Sequence, residues 1–312
     1  VLLKAKGNKG QTIKLTPGEL LNGKGYVTQR ATGGPYFYEY ILKGDKEETW
    51  QPSFSYYGFR YVQVTGIKPE NLELKFLHTF NSAPAAGAFS CSNELFNSIN
   101  RLIRYAIQSN FQSVLTDCPH REKLGWLEQT YLMGSSVHFN YESYHLYRKL
   151  VNDMSDAQTS EGLIPSIAPE YTQFEGGFRD SPEWGSAGIF LPWLIYKWYG
   201  DDSVMKKAWP MMESYMQYLH SKSENHLLSH GLGDWYDLGP ERPGFAQLTP
   251  VSLTATATYY LAAKRMAEMA GLLGKEEDQT YFSGLSEKIS STFQKEFFNP
   301  EKKTYATGSQ TS

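Results

Sequence analysis

The chain has 312 residues, enough for two domains rather than one small core. Its formal net charge is -3, which removes the electrostatic case for a nucleic acid or an anionic membrane as partner. No apolar run approaches the ~18 residues of a membrane span, and the two cysteines, Cys91 and Cys118, make neither a disulfide framework nor a zinc set.

The chain opens Val1-Leu2-Leu3-Lys4 without Met and reads as processed, trimmed or a fragment. A missing signal peptide therefore says nothing about compartment. Residues 1–83 read as β. Tyr36–Leu42, Phe59–Val64 and Leu72–Leu77 are short aromatic or aliphatic runs, punctuated by Gly33-Gly34-Pro35, Gly66 and Pro69. The span is too short for a complete sandwich and reads as the C-terminal part of one.

After Pro84-Ala85-Ala86-Gly87 the period changes to that of helices. Leu95, Ile99, Leu102, Ile103, Ala106 and Ile107 recur at spacings of three and four. Further helices are predicted over 127–139, 141–157, 183–199, 202–222, 251–271 and 275–297, about seven in all. The run Ile189–Ile195 is apolar nearly all round, as in a helix inside a layered structure. Long polar and aromatic loops over 158–182 and 223–250 are where a helical domain would carry a site.

The densest chemistry lies in Asp117-Cys118-Pro119-His120-Arg121-Glu122-Lys123-Leu124-Gly125-Trp126-Leu127-Glu128-Gln129. Its structural reading is a solvated turn with Arg121 paired to Glu122 or Asp117. Against that, its charges alternate with Leu124, Trp126 and Leu127, which should be buried. Carboxylates, an Arg and an indole suit sugar cleavage: one carboxyl protonates a leaving oxygen, another handles water, and the ring stacks on a pyranose. The 15% aromatic content fits sugar stacking, and equally a large core.

The run Asp117–Trp126 resembles the signature of the bacterial α-L-rhamnosidases of glycoside hydrolase family 78. Tyr57-Gly58-Phe59-Arg60-Tyr61-Val62 resembles the end of the β-domain before the catalytic barrel of that family. Glu183-Trp184-Gly185-Ser186-Ala187, followed by Pro192-Trp193, resembles a barrel helix that starts at the active site, and Gly233-Asp234-Trp235 a substrate-contacting loop. In order, these cover most of residues 50 to 250. The resemblance implies an α+β multidomain chain: a partial β-sandwich at 1–83, then the N-terminal part of an (α/α)6-toroid catalytic domain at 84–312. A toroid of this kind needs twelve helices, so about seven leave it incomplete.

The resemblance also implies roles. Glu122 falls on the general acid, a task that requires a raised pKa, with Leu124 and Trp126 able to supply burial and Asp117 or Glu128 repulsion. Asp117 and Arg121, which would share a face if that segment is helical, hold sugar hydroxyls. Trp126 stacks on the sugar or meets its 6-methyl group. Many relatives carry Gly-Asp where this chain has Glu128-Gln129; Glu128 is the candidate substitute. Asp180 and Trp184 are candidate substrate contacts, although acidic residues around Ser181-Pro182 also suit a helix start. Asp234 and Trp235 lie in a tight Gly/Pro-flanked loop and contact substrate.

The reaction implied is hydrolysis of terminal α-L-rhamnosides with inversion, on a rhamnose-containing oligosaccharide, polysaccharide or glycoside. Inversion needs a base about 6.5–9.5 Å from the acid. No residue here matches the family's late glutamate, so the base is expected beyond Ser312. No metal and no cofactor is expected: His226 and His230 lack a third ligand, and neither a Gly-x-Ser-x-Gly elbow nor a phosphate loop occurs. The alternatives are another (α/α)6 glycosidase and a carbohydrate-binding protein without turnover.

Overall fold

The computed structural model describes residues 1–44 and 46–312. It divides into two compact units, 1–82 with 89–124 and 83–88 with 125–312.

The first unit is built on two three-stranded antiparallel sheets. Its strands are β1 (Leu2–Ala5), β2 (Thr12–Gly18), β3 (Leu20–Leu21), β4 (Val27–Thr28), β5 (Tyr38–Ile41), β6 (Glu48–Trp50), β7 (Tyr61–Thr65) and β8 (Leu72–Lys75). One sheet has the order β6-β1-β8 and the other β5-β2-β7, while β3 and β4 pair separately. Leu3 and Ala5 alternate with Lys4, and Ile13 and Leu15 with Lys14, so the period of two sends apolar side chains inward. These four, with Leu42, form a core against Tyr38, Tyr40, Trp50, Val62 and Val64. The central strands β1 and β2 were not among the three runs read from the sequence. Each shows lysine or threonine on its outer face, so neither stands out as a hydrophobic run.

Helix α1 (Glu94–Asn110) also belongs to this unit. Asn93 caps it, its side-chain oxygen accepting the Leu95 N–H at 3.0 Å. Ile107 is buried, whereas Leu95, Ile99 and Leu102 on the predicted apolar stripe are exposed.

The second unit is helical: α2 (Glu128–Leu132), α3 (Gly134–Asn140), α4 (Tyr144–Ala157), α5 (Pro182–Gly185), α6 (Ala187–Tyr199), α7 (Ser203–Lys222), α8 (Val251–Leu272) and α9 (Glu276–Phe297). A short hairpin, β9 (Phe298–Asn299) and β10 (Thr304–Tyr305), follows. Two predicted helices are each split. The run 127–139 breaks between Leu132 and Gly134, where an added Cβ on Gly134 would lie 2.8 Å from the Trp198 ring. The run 183–199 bends at Ser186, whose carbonyl accepts N–H groups from both Ile189 and Phe190. Helix α6 is the hub. Ala187 to Pro192 and Ile195 are all buried, and α6 packs on α2, α4, α7 and α8. Gly200, at φ 69, lets its C-terminus turn left-handed. Helices α8 and α9 are joined by a three-residue turn through Gly274, at φ 70.

No helix among the described residues is long and apolar enough to cross a membrane. Leu15 is 1% exposed at the centre of the first unit's core. Leu15→Ala is expected to lower unfolding free energy by about 2–5 kcal/mol, read from urea denaturation followed by circular dichroism.

Candidate active site

The Asp117–Leu124 stretch is a loop, not the helix that would have set Asp117 and Arg121 on one face. Asp117 closes it. Its Oδ1 accepts the Leu124 N–H at 2.9 Å, its own N–H donates to the Leu124 carbonyl at 3.0 Å, and the Cys118 thiol donates to Oδ2 at 3.0 Å. Cys118 Sγ in turn accepts the Glu122 N–H at 3.3 Å. Both cysteines are free thiols.

Lys123 takes a left-handed φ of 58°, its ammonium donating to the Tyr56 carbonyl at 3.0 Å and lying 4.7 Å from the centre of the Tyr57 ring. Tyr36 donates to the Arg121 carbonyl, and the Gly58 N–H to the Pro119 carbonyl. An added Cβ on Gly58 would stand 3.0 Å from Pro119 Cγ, so the glycine permits that approach. The strand end that carried part of the sequence resemblance thus braces the loop. Within it, Arg121 Nη2 and Glu122 Oε1 form an ion pair at 3.2 Å, with the Glu122 side chain 34% exposed. Leu124 is buried, but the acid candidate is not enclosed with it.

In the helical unit, Trp126 stacks on Phe174 at 5.2 Å and 24°. Phe174 touches Phe178, which meets Trp235 edge-on at 5.3 Å and Phe245 at 5.6 Å. The row Trp126–Phe174–Phe178–Trp235 therefore joins two predicted aromatic contacts 109 positions apart. Phe174, Phe178 and Phe245 were missed. Their only sequence signal is their place in the two long loops.

Two carboxyls of this unit, Glu183 in α5 and Asp234, act on Glu128 at the start of α2. Burial, then the like charges of Glu183 and Asp234, push Glu128 up to about 7. Glu183 is only 7% exposed and is also pushed up by burial, although Thr254, its own amide and Ser181 pull it part of the way back. Asp234 Oδ2 accepts hydroxyl hydrogen bonds from Thr311 at 2.6 Å and Thr249 at 3.4 Å.

Asp180 behaves differently. Burial alone would raise it, but contacts with His230 and Tyr218 outweigh burial and hold it below the usual carboxylate range. Tyr218 OH donates to Oδ2, and His230 Nε2 lies 3.3 Å from Oδ1. Both oxygens of this predicted sugar contact thus already face protein groups. Trp184 is 5% exposed and sits in the core, so its indole is not free to stack on a ligand.

The two loops interlock at Ser181. Its hydroxyl accepts the Leu232 N–H at 2.8 Å and donates to Glu183 Oε2 at 3.2 Å. Gly231, at φ 113°, is required there, since an added Cβ would come within 2.7 Å of Ser181 Oγ. Arg179 and Glu170 pair through two contacts of 2.7 and 3.0 Å and tie down the first loop. Among the described residues no His, Cys, Asp and Glu group could hold a metal ion.

Residues 84–312 match the bacterial alpha-L-rhamnosidase 6 hairpin glycosidase domain, and residues 1–81 the bacterial alpha-L-rhamnosidase concanavalin-like domain. The chain belongs to the bacterial α-L-rhamnosidase family. An α-L-rhamnosidase of Formosa agariphila is 31% identical over 95% of this chain and 33% of its own length. One of Streptomyces avermitilis is 34% identical over 94% and 28%. The solved α-L-rhamnosidase of Dictyoglumus thermophilum superposes with a TM-score of 0.85 at 32% identity, covering 99% of this chain and 35% of that one. The Streptomyces avermitilis enzyme, solved with L-rhamnose, gives 0.82 at 32% identity, covering 96% and 28%. This member of the α-L-rhamnosidase family thus spans about a third of the length of the curated relatives it matches.

The raised Glu128 carboxyl has a consequence for stability. Between about 4.5 and about 7 the folded protein keeps a proton that the unfolded chain has lost, so Glu128 stabilises fully below that window and less as pH rises through it. Melting temperature against pH is expected to fall more steeply across the window in the wild type than in Glu128→Gln, and matching slopes would refute the assignment.

Proposed function

We propose that the protein hydrolyses terminal α-L-rhamnosides with inversion at the anomeric carbon. The observation that supports this most is likeness along nearly the whole chain to an α-L-rhamnosidase solved with L-rhamnose, at 32% identity. In this reading residues 1–83 are the C-terminal part of a β-sandwich domain, and residues 84–312 are the N-terminal part of an (α/α)6 toroid. The substrate is an oligosaccharide, polysaccharide or glycoside ending in α-L-rhamnose.

Glu122 is the proposed general acid. Its carboxyl proton passes to the glycosidic oxygen as the bond to the anomeric carbon breaks, so the aglycone leaves as a neutral alcohol. The Arg121 guanidinium, 3.2 Å away, faces the carboxylate that remains. Water attacks from the opposite side and loses a proton to a second carboxylate. That base is proposed to lie outside residues 1–312, since nothing in this sequence matches the family's late glutamate.

Sugar binding is assigned to Asp117, Arg121, Trp126, Glu128, Asp180, Trp184, Asp234 and Trp235, with unequal support. Trp126 and Trp235 gain from the shared aromatic row, and Glu128 and Asp234 from their coupling. Asp117 has both oxygens engaged in its own loop, whereas Asp180 accepts from Tyr218 at Oδ2 and leaves Oδ1 without a hydrogen bond, 3.3 Å from His230 Nε2. Trp184, 5% exposed in the core, has the least support.

Glu122→Gln in the full-length protein is expected to lower kcat on a poorly activated α-L-rhamnoside by about 10²–10⁴-fold and to leave L-rhamnose affinity within a few-fold. Release of aglycone and calorimetric titration with rhamnose read the two effects. Wild-type turnover of other aryl glycosides, with none of the rhamnoside, would point to a different glycosidase.

A further inference from the structure

The Glu122 side chain is 34% exposed and pairs with Arg121, so burial does not aim it. A general acid must hold its proton within hydrogen-bond reach of the leaving oxygen, and a misplacement of about 1 Å can cost about 10²-fold. For a carboxyl standing in the open, that aim comes from the backbone that carries it.

Three consecutive residues of this backbone are held. The Arg121 carbonyl accepts the Tyr36 hydroxyl at 3.2 Å. Lys123, in its left-handed conformation, reaches the Tyr56 carbonyl at 3.0 Å and lies 5.0 Å from the centre of the Tyr56 ring. Between them the Glu122 N–H donates across the loop to Cys118 Sγ at 3.3 Å. The same sulfur donates its proton to Asp117 Oδ2 at 3.0 Å. Asp117 Oδ1 accepts the Leu124 N–H, and the Asp117 N–H bonds back to the Leu124 carbonyl.

A chain of bonds thus runs from the Glu122 amide, through the thiol, to a carboxylate fixed where the loop closes. A thiol is a weak donor and a weak acceptor taken singly. Here the charged acceptor at one end strengthens its donation, and a group that donates while it accepts is polarised toward both partners. The place calls for donor and acceptor on one atom, and the long bonds of sulfur suit the reach from residue 117 to residue 122. Cys91, the other free thiol, is exposed just before α1, where it donates to the Asn93 carbonyl, and it has no such link to the loop.

We propose that Cys118 is a positioning residue: its thiol fixes the Glu122 backbone and so aims the acid at the leaving oxygen. This rests on the reading of Glu122 as the general acid of a rhamnoside hydrolase. The thiol itself takes no part in bond making or breaking.

The test compares Cys118→Ala, Cys118→Ser and Cys91→Ala in the full-length protein on two α-L-rhamnosides. An alkyl leaving group needs the acid's proton, whereas a dinitrophenyl group departs without it. In Cys118→Ala, kcat on the alkyl rhamnoside is expected to fall about 10–100-fold, with KM and the dinitrophenyl rate within a few-fold of the wild type. Cys118→Ser, whose hydroxyl both donates and accepts, should recover part of the loss, and Cys91→Ala should match the wild type on both substrates. Equal losses on the two substrates would show a general loosening of the loop and overturn the proposal, as would no loss on the alkyl rhamnoside.

Hydrogen exchange resolved to single amides reads the bond without any sugar. The Glu122 amide is expected to be protected in the wild type and to exchange about fivefold faster or more in Cys118→Ala. Wild-type exchange at the rate of an unstructured amide would overturn the proposal even if Cys118→Ala does not fold, and so would unaltered exchange in that variant. A wild type that cleaves neither rhamnoside counts against the rhamnoside reading, and the exchange result then decides the thiol brace by itself.

Discussion

A helix apolar on nearly every side must be surrounded, and α6 is such a helix. Its first six residues are all buried, and its neighbours α2, α4, α7 and α8 shield it. This requirement shapes the helical unit. It leaves the N-terminal approach to α6, through Ser181, Pro182 and Glu183, as the place where polar groups gather. The loops before α5 and before α8 come together there through Ser181, Leu232 and Gly231.

Dryness at that place sets the electrostatics. In water, Glu128, Glu183 and Asp234 would be three independent anions. Burial of Glu128, with the like charges of Glu183 and Asp234, raises its cost of ionisation, and Glu128 moves into the range where a carboxyl exchanges protons near neutral pH. Asp180, three residues before Glu183, moves the other way because Tyr218 and His230 contact it. Two neighbouring acids differ through their partners, not through their chemistry.

The signature loop of the first unit follows another logic. Asp117 spends both oxygens on closing the loop, and Lys123 is anchored to Tyr56 through a left-handed backbone. Arg121 and Glu122 are left facing one another at the tip. The run is dense in charge because some charges build the loop and others are presented by it. Spacing along the chain does not separate the two kinds.

Much was legible in the sequence. Short aromatic and aliphatic runs punctuated by Gly and Pro announced a β region, and the 3.6-residue period announced the helices from Leu95 onward, because burial of one helix face requires that repeat. The ordered resemblance from Tyr57 to Trp235 gave the family, since those residue types recur at matching places. Other features could not be read along the chain. Strands β1 and β2 are too polar on one side to stand out, yet their inner residues make the core. The hydrogen bonds that Asp117 makes within its loop, the Tyr218 contact of Asp180 and the burial of Trp184 are visible only in the fold. The row from Trp126 to Trp235 and the coupling of Glu128 to Glu183 depend on contacts between residues scores of positions apart. Local sequence determines what each segment can bury; only the tertiary structure decides which charges are enclosed together, and so which carboxyl keeps its proton.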